Sequence, residues 1–178
     1  MSRTPDDAPF TPLDVAILTV SDSRTEDSDT SGHLLRDNVA AAGHRIVAKE
    51  ICVDDLYRLR AIFSRWIADP GIRVIISTGG TGITGRDSTP EAVTPLFDKA
   101  IDGFGELFRQ ISFQDIGAST VQSRAVAGLA NGTLIFCLPG STGACITGWD
   151  KILNSQLDHR TRPCNFCLLY TSPSPRDS

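Results

Sequence analysis

The sequence predicts an α/β fold, a three-layer α/β/α sandwich around a mostly parallel sheet, and three observations carry that expectation. Short apolar, β-branched runs alternate with stretches of helical periodicity, which is the pattern of strand–helix–strand units. The runs are continuous rather than alternating, as in strands covered on both faces. Three of them end in small polar or glycine-rich sequence: Ser21-Asp22-Ser23, Gly79 to Asp87, and Pro139 to Gly143. In open α/β sheets, ligands bind at such carboxyl ends.

Taken in order, Val15 to Val20 reads as a buried parallel strand, and Arg24 to Thr30 as an exposed loop. A helix is expected over residues 31–42, where Leu34, Leu35, Val39 and Ala42 form a stripe and Gly43 stops it. His44 to Val53 is a second strand, with Asp54 or Asp55 capping a helix over 56–68. Leu59, Ile62, Phe63, Trp66 and Ile67 give that helix its apolar face. Val74 to Ser77 is a third strand. Thr89 as N-cap, Pro90 at the first turn and Glu91 behind it start a helix running to about Ala100. Gly103 to Ile116 and Ser119 to Ala130 read as two more helices, Thr133 to Leu138 as a fourth strand, and 144–157 as a last helix.

The chain has 178 residues, enough for one domain with a full core. A net charge of −4 argues against a nucleic-acid partner, which needs an excess of Lys and Arg. An anionic ligand remains open if backbone amides hold it. No apolar run approaches a membrane span. Met1 to Pro12 is polar and reads as a disordered arm rather than a secretory leader, so a cytoplasmic protein is expected. The five cysteines are odd in number and irregular in spacing, which does not suggest a disulfide framework. Cys164 and Cys167 form C-x-x-C, but a zinc site needs a second pair of ligands. His33 and His44 read as solvent-facing or capping residues, and Phe104, Phe108 and Phe113 as core or subunit contacts. Residues 167–178 look like translated read-through of a sequencing adapter, a non-native tail, and the domain is expected to span 13–166.

The chemistry centres on Gly79, Gly80, Thr81 and Gly82. Glycines let backbone N–H groups approach an anion closely. The loop lacks the lysine of a P-loop and the G-x-G-x-x-G spacing of a dinucleotide fold. Asp87 follows it, and a carboxylate beside a phosphate site is explained by a bridging divalent cation. Turn capping or pairing with Arg86 is the plainer alternative. Asp54, at the end of the second strand, reaches the same crevice or caps a helix. Pro139, Gly140 and Ser141 open a second helix and suit a second phosphate, or form an ordinary turn.

These segments carry a resemblance. Thr19 to Arg24, Ser77 to Gly82, Arg86 to Ala92, Gly103 to Glu106, Ser123-Arg124-Ala125 and Leu138 to Ser141 occur in the order of the MoaB/MogA family of molybdenum cofactor biosynthesis. The ending Thr161 to Phe166 resembles the bacterial MoaB branch, as does Pro-Gly-Ser-Thr where MogA-like chains have a second proline. The resemblance implies the molybdopterin-binding fold, assembled as homotrimers or homohexamers. It implies molybdopterin and ATP as substrates, Mg2+ as cofactor, and transfer of AMP to the molybdopterin phosphate. A non-catalytic molybdopterin-binding carrier is the alternative. Carried over by position, Gly79, Gly80, Thr81 and Gly82 form the phosphate loop, and Asp87 and Asp54 hold the metal and orient the phosphates. Ser21, Asp22, Pro139, Gly140 and Ser141 line the pterin phosphate side, with Glu91 near the ligand.

Overall fold

The computed structural model describes residues 8–171. Six strands form one sheet in the order β2-β1-β3-β6-β5-β4: β1 (Asp14–Val20), β2 (Arg45–Cys52), β3 (Val74–Thr78), β4 (Lys99–Ala100), β5 (Val126–Ala130) and β6 (Thr133–Leu138). β2, β1, β3 and β6 run parallel, while β5 and β4 run antiparallel to their neighbours.

Why both faces are covered is visible in the period of two along each strand. Val15 and Ile17 of β1, Val74 and Ile76 of β3, and Leu134, Phe136 and Leu138 of β6 point into one core. Ala16, Leu18 and Val20, then Ile75, then Ile135 and Cys137 point into the other. The first core is closed by α1 (Thr30–Ala41), α4 (Asp102–Ile116) and α5 (Thr142–Gly148), the last continuing through a π turn into α6 (Asn154–Gln156). The second is closed by α2 (Leu56–Ala68) and α3 (Thr89–Val93). On α2, Leu59, Phe63 and Trp66 are buried at helical spacing, as its periodicity predicts. The expected sandwich is therefore the observed one.

Three local expectations are corrected. The helix from Thr89 does not reach Ala100. It ends at Val93, gives one 3-10 turn over Thr94–Leu96 around Pro95, and the chain then extends into β4, because proline cannot donate the amide a helix interior needs. Its N-cap is Ser88, and the Thr89 hydroxyl instead donates to the Gly79 carbonyl at 2.9 Å. Ser119 to Ala130 is not a helix: a 3-10 segment, Gly117–Gln122, leads into β5, which turns through Asn131-Gly132 into β6. Both turn residues have positive φ, 50° and 76°, as a two-residue hairpin turn requires.

His44, expected at the surface or as a cap, is 6% exposed. Its Nδ1 accepts the Leu13 N–H at 3.0 Å, and the Phe10 ring lies 4.9 Å from its own. Residues 8–12 of the N-terminal arm carry no helix or strand. Of the tail, Leu168–Thr171 form α7, and the Tyr170 hydroxyl donates to the carbonyls of Arg73 and Gly132. Residues 1–7 and 172–178 lie outside the described residues. Among the described residues, no helix is long and apolar enough to cross a membrane.

Candidate functional site

Register places the three predicted strand ends side by side. Thr19 of β1 pairs with Thr78 of β3, and Thr78 with Leu138 of β6. Ser21, Gly79 and Pro139 therefore leave the sheet at one level. They border a cleft of ≈ 370 Å³ lined also by Thr19, Ser31, Gly80, Thr81, Gly82, Asp87, Gly140 and Arg24. A second, mainly apolar cleft of ≈ 220 Å³ adjoins it at Pro139 and is lined by Phe108, Ile116, Ser141 and Ala144 among others.

Close approach of backbones makes the floor. The Gly79 N–H donates to the Leu138 carbonyl at 2.9 Å, and a Cβ at Gly79 would lie 2.1 Å from the Val20 carbonyl oxygen. Gly79 and Gly80 both have positive φ, 104° and 70°, where side chains are strained. The Ser31 hydroxyl donates to the Gly140 carbonyl at 2.9 Å, which joins the start of α1 to the turn before α5.

The acids divide into two groups. Asp87 lines the cleft. Its carboxylate accepts from the Thr84 hydroxyl at 2.6 Å and the Thr84 N–H at 2.9 Å. The Thr84 hydroxyl holds the Asp87 carboxyl below the usual carboxylate range, against burial, with the Thr84 and Gly82 amides adding to it. It is thus ionised at neutral pH and is a hard oxygen donor of the kind that binds divalent cations. Asp54 is buried beside the loop. Its carboxylate accepts from the Ser88 N–H at 3.0 Å and from the Ser88 hydroxyl, while a Cβ at Gly80 would lie 2.8 Å from Oδ2. Asp55, not Asp54, caps α2.

The other expected site residues fall as follows. Ser21 lines the main cleft, and its hydroxyl accepts from the N–H groups of Ser23 and Arg24. Asp22 turns toward Arg86, with bonds of 2.9 and 2.8 Å, and that guanidinium lowers its carboxyl. Ser141 caps α5 and lines the apolar cleft. Glu91 is not among the residues lining the two clefts described; its carboxylate pairs with Arg124, which holds it below its ordinary range. Among the described residues, no three His, Cys, Asp or Glu side chains gather as a metal cage.

Comparison with known proteins bears on this arrangement. Residues 16–159 match the family model described as "Probable molybdopterin binding domain". The chain is 57% identical over 157 residues to molybdenum cofactor biosynthesis protein B of Escherichia coli K12, covering 88% of this chain and 92% of that one. It is 43% identical over 146 residues to the Bacillus cereus protein of the same name, covering 82% and 86%. This chain belongs to the MoaB/MogA family. Its fold superposes on a crystal structure of molybdenum cofactor biosynthesis protein B with a TM-score of 0.81 at 40% identity, over 89% of this chain and 96% of the other. The tungsten cofactor synthesizing protein MoaB from Pyrococcus furiosus gives 0.72 at 38%, over 83% and 94%.

Three side chains at or behind the cleft lie outside the set of site residues that the sequence predicts. Arg24 lines the main cleft, and its guanidinium is steadied by the Ser28 carbonyl and the Thr30 hydroxyl, both at 2.7 Å. Asp29 is fully buried behind Thr19. Burial raises its carboxyl, but the Thr19 hydroxyl, the Lys49 ammonium and the Gly32 N–H together hold it below the ordinary value. Arg124 reaches the glycine loop from the segment before β5. A cation near glycines was legible only for Arg24, which follows the first strand end directly.

Proposed function

We propose that this chain binds molybdopterin and transfers AMP from Mg-ATP to its phosphate. One observation carries the reading: an ionised carboxylate, Asp87, borders a cleft whose floor is backbone of a glycine loop. Phosphate oxygens and a carboxylate repel each other unless a cation lies between them. Asp87, with Asp54 behind Gly80, would hold Mg2+, and this donor set fits an ion that keeps several waters and shares substrate phosphates. When bound, the ion supplies charge neutralisation at the phosphates.

The rest of the chemistry belongs to the chain. Amides of Gly80 and Thr81 and the Arg24 guanidinium neutralise and orient phosphates in the main cleft. The apolar cleft across Pro139 takes the flat ring system of one substrate. An oxygen of the molybdopterin phosphate attacks the α-phosphorus of ATP. One P–O bond forms, the bond to the β-phosphate breaks, and pyrophosphate leaves. No protein nucleophile is needed, so positioning provides the rate. Such a reaction belongs in the cytoplasm, where ATP is available.

A non-catalytic pterin carrier is the second reading, and one observation favours it: both acids have local structural partners, Asp87 in Thr84 and Asp54 in Ser88. The test is turnover by the purified protein given molybdopterin, ATP and Mg2+. Adenylylated molybdopterin with stoichiometric pyrophosphate supports the enzyme. Bound pterin with no pyrophosphate supports the carrier.

A further inference from the structure

The segment Ser123-Arg124-Ala125 precedes β5 and lies outside the main cleft, yet Arg124 makes three hydrogen bonds to the glycine loop. Its own N–H donates to the Thr81 carbonyl at 3.1 Å. Nε donates to the Gly82 carbonyl at 2.7 Å and Nη2 to the Asp87 carbonyl at 3.0 Å. Nη1 pairs with the Glu91 carboxylate. One guanidinium thus spans the neck of the loop, binding the residue where it leaves the cleft and the residue where it returns.

The two ends of the loop are held by other partners, the Gly79 N–H on the Leu138 carbonyl, the Thr89 N–H on the Gly80 carbonyl and the Ser88 N–H on the Asp54 carboxylate, but its middle has fewer ties to the sheet. Ile83 to Arg86 are exposed, Ile83 at 65%. The Arg86–Asp22 pair lies at the surface, where ion pairs contribute little. The Asp87–Thr84 bonds are internal to the loop and cannot fix it to the sheet. Arg124 comes from about 40 residues away, and its planar fork meets two carbonyls and a carboxylate at once, which an ammonium cannot do. Glu91 offsets the charge, so the fork serves the carbonyls without adding a free cation beside the phosphates.

We propose that Arg124, seated by Glu91, is the positioning residue of the glycine loop, and that its role is to present the Asp87 carboxylate and the loop amides to the phosphates and their cation. The turnover part of the test rests on the adenylyl-transfer reading; the loop part does not. Wild type, Arg124→Lys and Arg124→Ala are compared as full chains. Hydrogen exchange is followed in peptides over residues 79–88 and over β1, β3 and β6. The Mg2+ concentration for half-maximal AMP transfer is measured with KM for molybdopterin. Arg124→Ala is expected to exchange faster in 79–88 alone, and to need roughly 10–100-fold more Mg2+, the range for groups that orient metal ligands. KM for molybdopterin is expected to rise by a smaller factor than the Mg2+ requirement, because the apolar cleft, which the loop residues do not line, still holds a ring system. Arg124→Lys falls between. Unchanged exchange in 79–88 overturns the proposal, as does an unchanged Mg2+ requirement in a folded Arg124→Ala. If Arg124→Ala does not fold, Arg124→Lys and Glu91→Gln are read against the same two criteria. If the wild type makes no product, adenylyl transfer fails as a reading. Loop exchange together with Mg-ATP affinity by calorimetry then decides the role of Arg124.

Discussion

A Cβ on residue 79 would lie 2.1 Å from the Val20 carbonyl oxygen, and φ there is +104°. Neither the clash nor the dihedral can relax locally, because the Gly79 amide is tied to the Leu138 carbonyl. Gly79→Ala combines left-handed strain of about 1–2 kcal/mol with displacement of two strand ends. A loss of at least roughly 2 kcal/mol is expected, a fall in Tm of about 4–8 °C for a chain of this size. Phosphate-dependent thermal stabilisation should vanish with it; retention of both in a melting scan refutes this account of the loop. The sequence made this glycine legible as part of Gly-Gly-Thr-Gly. It did not reveal that the obstacle is the β1 carbonyl, since that contact exists only once β1 and β3 pair. Arg24 and Arg124 illustrate the same limit from two sides. One follows a predicted strand end and was within reach of inspection. The other comes from a segment read as helix, and its destination depends on tertiary packing alone.

At the scale of elements, alternating buried residues were the legible signal and turn chemistry the missed one. The four parallel strands are long or apolar enough to declare themselves. β5, Val-Ala-Gly-Leu-Ala, is not: two alanines and a leucine suit a helix as well, and Asn131-Gly132 read as a helix stop is equally a hairpin turn. β4 has only two residues, too few for any periodicity. The junction before β1 and β2 makes a pH prediction. His44 Nδ1 accepts the Leu13 N–H, so the neutral ring carries its proton on Nε2. Burial lowers the His44 pKa from 6.5, with Asp158 opposing. Above pH 6.5 neither folded nor unfolded chain is protonated there, and the contribution to stability is fully present. As pH falls below 6.5 the unfolded chain takes up the proton first, and stability declines until the folded pKa is passed. Thermal unfolding from pH 7.5 to 5 should show Tm falling below about pH 6.5. The slope should be shallower in His44→Asn, which keeps an acceptor without titrating; equal slopes in the two proteins would remove His44 as the cause.

At the scale of the whole molecule, the far end of α4 and the 3-10 segment after it present Phe113 and Val121 at 58% and 79% exposure, next to Ile116 of the apolar cleft. Exposed large apolar side chains on neighbouring segments suit a contact surface. Phe104 and Phe108, from the same helix, are in the core, so the expectation of core or subunit contacts divides along the helix. We propose that the exposed end is the contact of a homotrimer or homohexamer. Sedimentation velocity should find an oligomer for the wild type and a monomer for Phe113→Asp/Val121→Asp. A monomeric wild type removes the assembly from the account. The sheet order puts β1, β3 and β6 together at the centre, and that one topological fact converts three separate sequence motifs into one cleft. This is why fold and cleft were largely legible while the second ring of polar residues, Asp29, Lys49 and Arg124, was not.

The reading as a whole turns on whether the Asp87 charge, rather than its hydrogen bonds, is needed for AMP transfer. The measurement is the single-turnover rate of label transfer from α-labelled ATP to molybdopterin, at saturating Mg2+, in wild type and Asp87→Asn. The asparagine oxygen keeps an acceptor for the Thr84 hydroxyl and amide while the charge is removed. A folded protein is predicted, with a small fall in Tm from losing the charge that the Thr84 and Gly82 groups favour, and a rate lower by about 100-fold or more, the range for losing one electrostatic contact at a reacting phosphate. A rate within about threefold of wild type, less than 1 kcal/mol by the usual conversion, would contradict it and leave Asp87 as the cap of its own turn.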